Sequence, residues 1–367
     1  MGVARPRAHA AMTHSLSRRA LLGSTLPFSL WGFQRNGPSP FTWKAALSGE
    51  APRPEAPLAL WYRRPAASWV EALPVGNGRL GAMCFGGIET ERLQLNEETI
   101  WAGFPRDNNN NLALKHLPEV RRLLFEGKEK EATALAEKSM LGVPPKVDSY
   151  QPLADLWIDM PQLDAVTDYR RMLDLDTAVA TTEFTHNGAR FTREVFVSAP
   201  AQAIVVRLSA SQSGRVSARV RLTRQQDAFV AADPAAPRVL ILRGQLGEQG
   251  IRFEARLEAE ARGGLVRPDG NELVVDNANE LVLRLVAASS YNNRSPEAAA
   301  SSTLARVRRP YEELRRGHVA DHQLYFRRVA LELPANPQVA ALPTGERLAR
   351  VKGGEADESL AALYFQY

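Results

Sequence analysis

Residues 73–101, LPVGNGRLGAMCFGGIETERLQLNEETIW, gather the side chains in this chain best suited to holding a sugar. A sugar ring offers an apolar C–H face, which an aromatic covers, and hydroxyls that amides, carboxylates and guanidinium groups fix. Trp101 stands close to Asn96 and Glu97, with Asn77 and Arg79 at the far end of the same stretch. These five residues are the expected substrate-binding set. The alternative is that Trp101 plugs a core while the asparagines and Glu97 cap turns. Gly76, Gly78 and Gly81 also spell G-x-G-x-x-G. A dinucleotide site needs a strand before that motif and a helix after it, because the helix N-terminus holds the pyrophosphate. Here the glycines lead into an apolar strand, Met83-Cys84-Phe85-Gly86-Gly87, so they read as the entry to a β-hairpin.

Other chemistry is harder to place. Hydrolysis of a glycosidic bond with inversion takes a protonated acid and a carboxylate roughly 6.5–9.5 Å apart across the sugar. The acid pairs are Glu97/Glu98, Asp155/Asp159 and Asp174/Asp176. The last two have strand-like even spacing, which sends each pair to one face, expected to be solvent; adjacent Glu97 and Glu98 point apart. His318 and His322 are four apart on an expected helix, but the motif lacks the glutamate of H-E-x-x-H and a nearby third ligand, so no metal site is expected. G-x-S-x-G is absent. Cys84, the single cysteine, sits in an apolar strand and reads as a small buried hydrophobe, and one cysteine permits no internal disulfide.

The elements that must position these residues are mostly strands. Residues 58–62 begin the structured part, followed by the hairpin strands 82–88 and 91–95. Segments 153–160, 170–175, 178–186, 189–197, 203–209, 216–222, 239–242, 251–259, 272–275 and 280–287 read as further strands, with Asn187-Gly188 the strongest hairpin signal. Two helices intervene, one with Pro118 in its first turn and one over 128–140. After Ser295 the pattern turns helical: 296–309, 310–329 and 355–367, with 331–333 able to return one strand and 334–343 a linker. In the last helix Leu360, Leu363, Tyr364 and Tyr367 share a face with no capping residue after it, which gives the expectation of a chain cut short. The fold class expected is mainly β, a large antiparallel β-sandwich followed by a helical linker.

The 367 residues carry a net charge of +5, which would suggest a polyanion ligand. Residues 1–45 hold Arg5, Arg7, Arg18, Arg19, Arg35 and Lys44 and no acid; without those six, 40 basic residues face 41 acidic ones. The basic excess belongs to the leader, so neither a nucleic-acid nor a membrane partner is expected of the folded part. Ser17-Arg18-Arg19-Ala20-Leu21-Leu22 resembles a twin-arginine motif, and 21–33 is a short apolar run of export type, too short to span a bilayer. Residues 36–40 read as a linker. A periplasmic or secreted location follows as the expectation.

The stretch LPVGNGRLGAMCFGGIETERLQLNEETIWAG resembles the N-terminal domain of glycoside hydrolase family 95, the α-L-fucosidases. The run Tyr150-Gln151-Pro152-Leu153-Ala154-Asp155-Leu156 is similar to the family's Y-Q-P-L-G-D-L, with Ala154 at the glycine position. Segment 169–178, YRRMLDLDTA, resembles its Y-x-R-x-L-D-L-x-T-A strand; Arg193–Ser198 and His318–His322 also agree. The resemblance covers 58–367. It implies a sandwich, a helical linker and then an (α/α)6 barrel that houses the general acid, general base and activating asparagines, none of which maps onto a position here. On that basis residues 1–45 form the export signal and linker, 55–294 the sandwich, 295–354 the helical linker and 355–367 the beginning of a truncated barrel. The whole enzyme is expected to be an exo-acting, inverting, cofactor-free hydrolase of terminal α-L-fucosyl linkages, with this fragment inactive alone. Its expected partners are a fucosylated oligosaccharide or polysaccharide and its own catalytic domain. The alternative is a non-catalytic carbohydrate-binding or scaffolding sandwich.

Overall fold

The computed structural model describes residues 41–367. The expected export signal, with Arg18 and Arg19, and the 36–40 linker lie outside the described residues. Strands β1 (Ala46–Ser48) and β2 (Ala59–Tyr62) precede a meander of β3 (Leu73–Gly76), β4 (Leu80–Cys84) and β5 (Thr90–Glu97). Helices α1 (Ala113–Phe125) and α2 (Glu129–Ser139) interrupt the strands. Then come β6 (Ala154–Asp159), β7 (Ala165–Asp174), β8 (Val179–His186), β9 (Ala189–Ser198), β10 (Ala203–Ala210) and β11 (Val216–Thr223). The strands finish with β12 (Ala228–Asp233), β13 (Ala236–Gln245), β14 (Arg252–Arg262), β15 (Leu265–Asp269), β16 (Glu272–Ala278) and β17 (Glu280–Ser289). Helices α3 (Pro296–Arg306), α4 (Tyr311–Phe326), α5 (Pro337–Ala340), α6 (Thr344–Lys352) and α7 (Glu358–Gln366) complete the described chain.

Two sheets result, making a mainly β sandwich with a helical region. The larger runs β1-β7-β8-β9-β10-β17-β14-β13-β12, with β2 also pairing β7; the smaller runs β15-β16-β11-β6-β5-β4-β3. Pairing is antiparallel except where β1 lies parallel to β7, Ala46 opposite Ala165. Alternation along the strands puts one apolar face of each sheet into a shared core. In β5, for example, Leu93 and Leu95 are fully buried while Arg92 and Gln94 face outward. Strands β10 and β17 depart from alternation and are apolar on both faces. The reason is a second core on the outer side of the larger sheet, where Ala300, Leu304, Tyr311 and Leu314 of α3 and α4 cover Val205, Ile241, Val282 and Val286.

Local sequence explains most of these elements. Asn187 and Gly188 sit at φ +48 and +73, the mirror-image turn whose twist suits the β8–β9 hairpin. Helix α3 starts with Ser295 accepting from Ala298 N and Pro296 in its first turn. Four readings change. Helix α1 begins at Ala113, so Pro118 lies inside it instead of opening it; the start is fixed upstream by Asn110, whose Oδ1 accepts from Leu112 N at 3.0 Å. Residues 331–333 form no strand; they lie beyond both sheets with Leu331 N bonded to Gln366 Oε1 at 3.1 Å. Strands β12 and β15 were not legible because both are edge strands, one alanine-rich and one holding Pro268, neither with a clean apolar alternation. Finally, the apolar stripe of α7 is divided: Leu360 and Leu363 enter the main core, while Tyr364 and Tyr367 remain exposed.

Helix α4 is seated on the sandwich by its two histidines. His318 Nε2 meets Ala178 O at 3.3 Å and stacks on Phe196, and His322 Nε2 meets Leu175 O at 2.8 Å. Both rings are engaged with the β7–β8 turn, and burial pushes the His318 imidazole below its ordinary pKa. Among the described residues no group of three or more His, Cys, Asp or Glu side chains has a metal-binding arrangement. No described helix is long and apolar enough to cross a membrane.

Candidate carbohydrate cleft

The glycine-flanked turn between β3 and β4 is built by Asn77. Its Oδ1 accepts from Arg79 N (3.0 Å) and Leu80 N (2.8 Å), and its Nδ2 donates to Ser198 O at 3.0 Å. The helix required for a dinucleotide site is replaced by β4, so the fold has no place for a pyrophosphate here. The turn aims Arg79 across the end of the sandwich. Arg79 Nε donates to Gln202 Oε1 (2.7 Å), and Nη1 donates to Ala287 O (2.9 Å) and Glu97 Oε1 (3.2 Å). One guanidinium thereby ties the β3–β4 turn of the smaller sheet to the β9–β10 turn and to β17 of the larger one.

Glu97 ends β5 and is 2% exposed. Its Oε2 accepts from Thr99 N (2.9 Å) and Thr99 Oγ1 (2.6 Å), and Oε1 accepts from Arg79 Nη1, so both oxygens are engaged. Asn96, one residue earlier, falls on the opposite face of β5 across from Gly81. The period of two along the strand separates the two side chains that sequence proximity had grouped. Beyond Thr99 the chain turns outward, and Trp101 forms an isolated bridge with Tyr150. Trp101 is 45% exposed, so it does not plug the sandwich. Its Nε1 donates to Glu98 O at 3.1 Å, and its ring lies 5.2 Å from that of Tyr150 at 54°. The Tyr150 hydroxyl donates to Glu97 O at 3.0 Å, and burial raises its pKa.

Two connected concavities lie along this edge. The first, about 600 Å³, is lined by Arg79, Glu97, Gln202, Ser289 and residues of α3. The second, about 960 Å³, is lined by Trp101, Phe104, Arg106, Asp148, Tyr291 and Asn293 among others, and shares Glu98, Thr99, Tyr291 and Asn292 with the first. Of the five residues expected from sequence, the structure brings Arg79 and Glu97 into the first cleft and Trp101 into the second. Asn77 and Asn96 line neither. Sequence reasoning had not singled out Phe104, Asp148, Tyr291 or Asn292 for this edge; Tyr150 comes alongside Trp101 from 49 positions away through one backbone bridge, a pairing no local pattern announces. A separate concavity of about 820 Å³ under the α3–α4 turn is crossed by paired charges, Arg284 with Glu258 and Glu260 and Arg207 with Glu280.

Three of the other acids singled out from sequence, Asp155, Asp159 and Asp176, are bound by arginines. Asp155 makes a two-pronged contact with Arg92 (3.1 and 3.0 Å), and Asp159 accepts from Arg221 Nε at 2.9 Å. These two do share one face of β6, as their spacing required. Asp174 and Asp176 do not share a strand face: Asp174 closes the β7–β8 turn, and Asp176 is clasped by Arg327 of the segment after α4. Cys84 is buried, and burial pushes its thiol far above the ordinary range.

Residues 60–294 match the model described as Glycosyl hydrolase family 65, N-terminal domain, and residues 310–367 match Glycosyl hydrolase family 95 catalytic domain. The chain is 33% identical over 351 residues to Alpha-L-fucosidase 2 of Arabidopsis thaliana, covering 85% of this chain and 41% of that protein. It is 30% identical over 352 residues to a protein of Aspergillus niger named Probable alpha-fucosidase A, covering 88% of this chain and 44% of that one. The chain thus spans less than half the length of these curated relatives. An overlay on the family GH92 inverting mannosidase of Bacteroides thetaiotaomicron gives a TM-score of 0.30 at 13% identity over 46% of this chain and 25% of that one, too little to carry an argument. A sandwich of the family 65 type continuing into family 95 sequence, with fucosidases related along nearly the whole of it, shows that the chain belongs to glycoside hydrolase family 95.

Proposed function

We propose that this chain is the amino-terminal part of an exo-acting, inverting hydrolase of terminal α-L-fucosyl linkages. The observation that carries the reading is the relationship to Alpha-L-fucosidase 2, which runs through the sandwich and the helices together at 33% identity over 85% of the chain. In this reading the proton-transfer pair belongs to the catalytic domain, and the sandwich with α3 is the platform that domain stands on. The disposition of acids supports it. Inversion needs one free acid and one free carboxylate facing each other across the sugar, whereas Glu97, Asp155, Asp159 and Asp176 are each held by an arginine. The fragment alone then has no turnover. Arg79 and Glu97 are proposed to hold the cleft wall, with Trp101 facing the glycan. The reaction needs no cofactor, and the leader directs the enzyme to the periplasm or outside the cell.

The test is release of L-fucose from 2′-fucosyllactose by the 367-residue chain and by a chain extended to the length of its relatives. Only the extended chain should release fucose, and proton NMR of the first product should show the β-anomer. Turnover by the 367-residue chain, or an α-anomer from the extended one, would reject this function.

A further inference from the structure

Three aromatic side chains line the second cleft and are left unburied by the fold, Trp101 (45% exposed), Phe104 (44%) and Tyr291 (55%), with Tyr150 (38%) packed behind Trp101. Each leaves apolar area in water, at a cost of about 25 cal/mol per Å², and contiguous exposure of this kind marks a binding surface. Three of these aromatics are also held still. Trp101 is anchored by its Nε1 to Glu98 O, Tyr150 by its hydroxyl to Glu97 O, and Phe104 lies under the Arg106 guanidinium at 5.3 Å. Rigid aromatics lose little entropy when a ligand covers them.

The polar groups among them are small, mixed in type and close to neutral in sum. Arg106 Nη2 donates to Asp148 Oδ2 at 2.7 Å, which cancels the cleft's one cation against one of its acids. Asn292 and Asn293 follow in succession at φ +58 and +57, left-handed backbone that non-glycine residues occupy at a cost. Gly103 stands at φ +97 with Asp148 pressed against it; a Cβ there would come 2.3 Å from Asp148 Oδ2. Aromatic faces with amides and a carboxylate, and no net positive charge, suit an uncharged ligand with apolar C–H faces and hydroxyls. They do not suit a nucleotide or an acidic polymer.

We propose that this cleft is a subsite for the neutral glycan on the leaving-group side of the scissile bond, with Trp101 and Tyr291 as its sugar-covering faces. The inference rests on the function proposed above: the terminal sugar must lie at the proton-transfer pair, so a sugar held by these residues is an inner one. The Arg79–Glu97 clasp positions the wall, because Glu97 offers the carbonyl that fixes Tyr150.

The experiment is saturation-transfer NMR on the 367-residue chain with lactose, cellobiose, N-acetyllactosamine and L-fucose. At least one disaccharide should bind saturably, Trp101→Ala and Tyr291→Ala should each weaken it by about tenfold or more, and Trp101→Phe should restore part of the loss. Thermal unfolding of the variants should match the parent, which separates lost contact from lost fold. Binding of no disaccharide, binding untouched by both alanine variants, or L-fucose binding more tightly than every disaccharide would each overturn the subsite. In the extended chain, Trp101→Ala should raise KM for 2′-fucosyllactose and leave kcat unchanged. An extended chain without fucosidase activity whose cleft still binds a disaccharide through Trp101 would reject the function and keep the cleft as a sugar site. A fully active one indifferent to Trp101 would do the reverse.

Discussion

Glu91 and Arg193 meet inside the protein, each 1% exposed, at the turn that joins β4 to β5. Glu91 Oε1 accepts from Phe85 N (3.1 Å) and Gly86 N (3.0 Å), while Arg193 Nη2 donates to Gly87 O at 2.6 Å and to the Glu91 carboxylate. Burial pushes the Glu91 carboxyl above its usual range, and Arg193 acts in opposition. Gly86 is required at this turn: its φ is +72, and a Cβ would sit 2.7 Å from the Tyr169 hydroxyl and from Arg171 Cδ. The pair thus closes the Gly86-Gly87 turn with two opposite buried charges. Removing one member strands the other in low dielectric, which costs on the order of 3–5 kcal/mol. Urea unfolding of Arg193→Met should show a loss of that size, and the double variant Glu91→Gln/Arg193→Met should lose less than the single one. A double-variant loss equal to the sum of the Glu91→Gln and Arg193→Met losses would mean the two charges act independently.

At the scale of elements, the helical region is fastened to the sandwich by polar clasps at its helix ends. Asp357 caps α7 by accepting from Leu360 N at 2.9 Å and takes a two-pronged contact from Arg347 of α6, both at 2.8 Å. Thr344, at the start of α6, accepts from Trp61 N of β2 at 3.0 Å. The Arg347 guanidinium holds the Asp357 carboxyl down at about 2. A carboxyl with a folded pKa below its unfolded value of roughly 3.9 stabilises the fold above that value and loses the contribution as pH falls through the folded one. Asp357→Asn keeps the cap but removes the charge. The variant should therefore unfold at a lower temperature than the parent at pH 7, with the gap closing between about pH 4 and pH 2. A gap that stays constant across that range would remove Asp357 from the acid response.

For the whole molecule, α1 and α2 form an arm that belongs to the sandwich by covalent continuity more than by packing. Val120, Leu123 and Ala132 bury against one another, with Leu135, Ala136 and Met140, in a cluster separate from the main core. At the arm's base Val143 N bonds to Asn108 O at 2.9 Å and Asn110 Nδ2 bonds to Leu141 O at 2.9 Å. Replacing 111–140 by a short glycine-serine turn should change stability by about 1 kcal/mol or less, because the core keeps every contact and loop length enters the closure entropy only logarithmically. Chemical denaturation of the shortened chain checks this. Several kcal/mol of loss would mean the arm supports the sheets.

What the residues determined alone is most of the central strands and their facing. Alternation in β5 and the Asn187-Gly188 turn are local consequences of strand period and allowed backbone angles, so the β-sandwich was readable before any coordinates. The same motifs carried the family resemblance, and the family matches agree with it. The candidate site was readable only in part, because adjacency in sequence says nothing about which sheet end a turn meets. Asn96 and Glu97 are neighbours in the chain yet lie on opposite faces, Arg79 finds its partners on three separate segments, and Trp101 meets Tyr150 only where two loops cross. Those pairings are set by how two sheets and a helical layer pack against each other, a property of the assembled core and of no single segment within it.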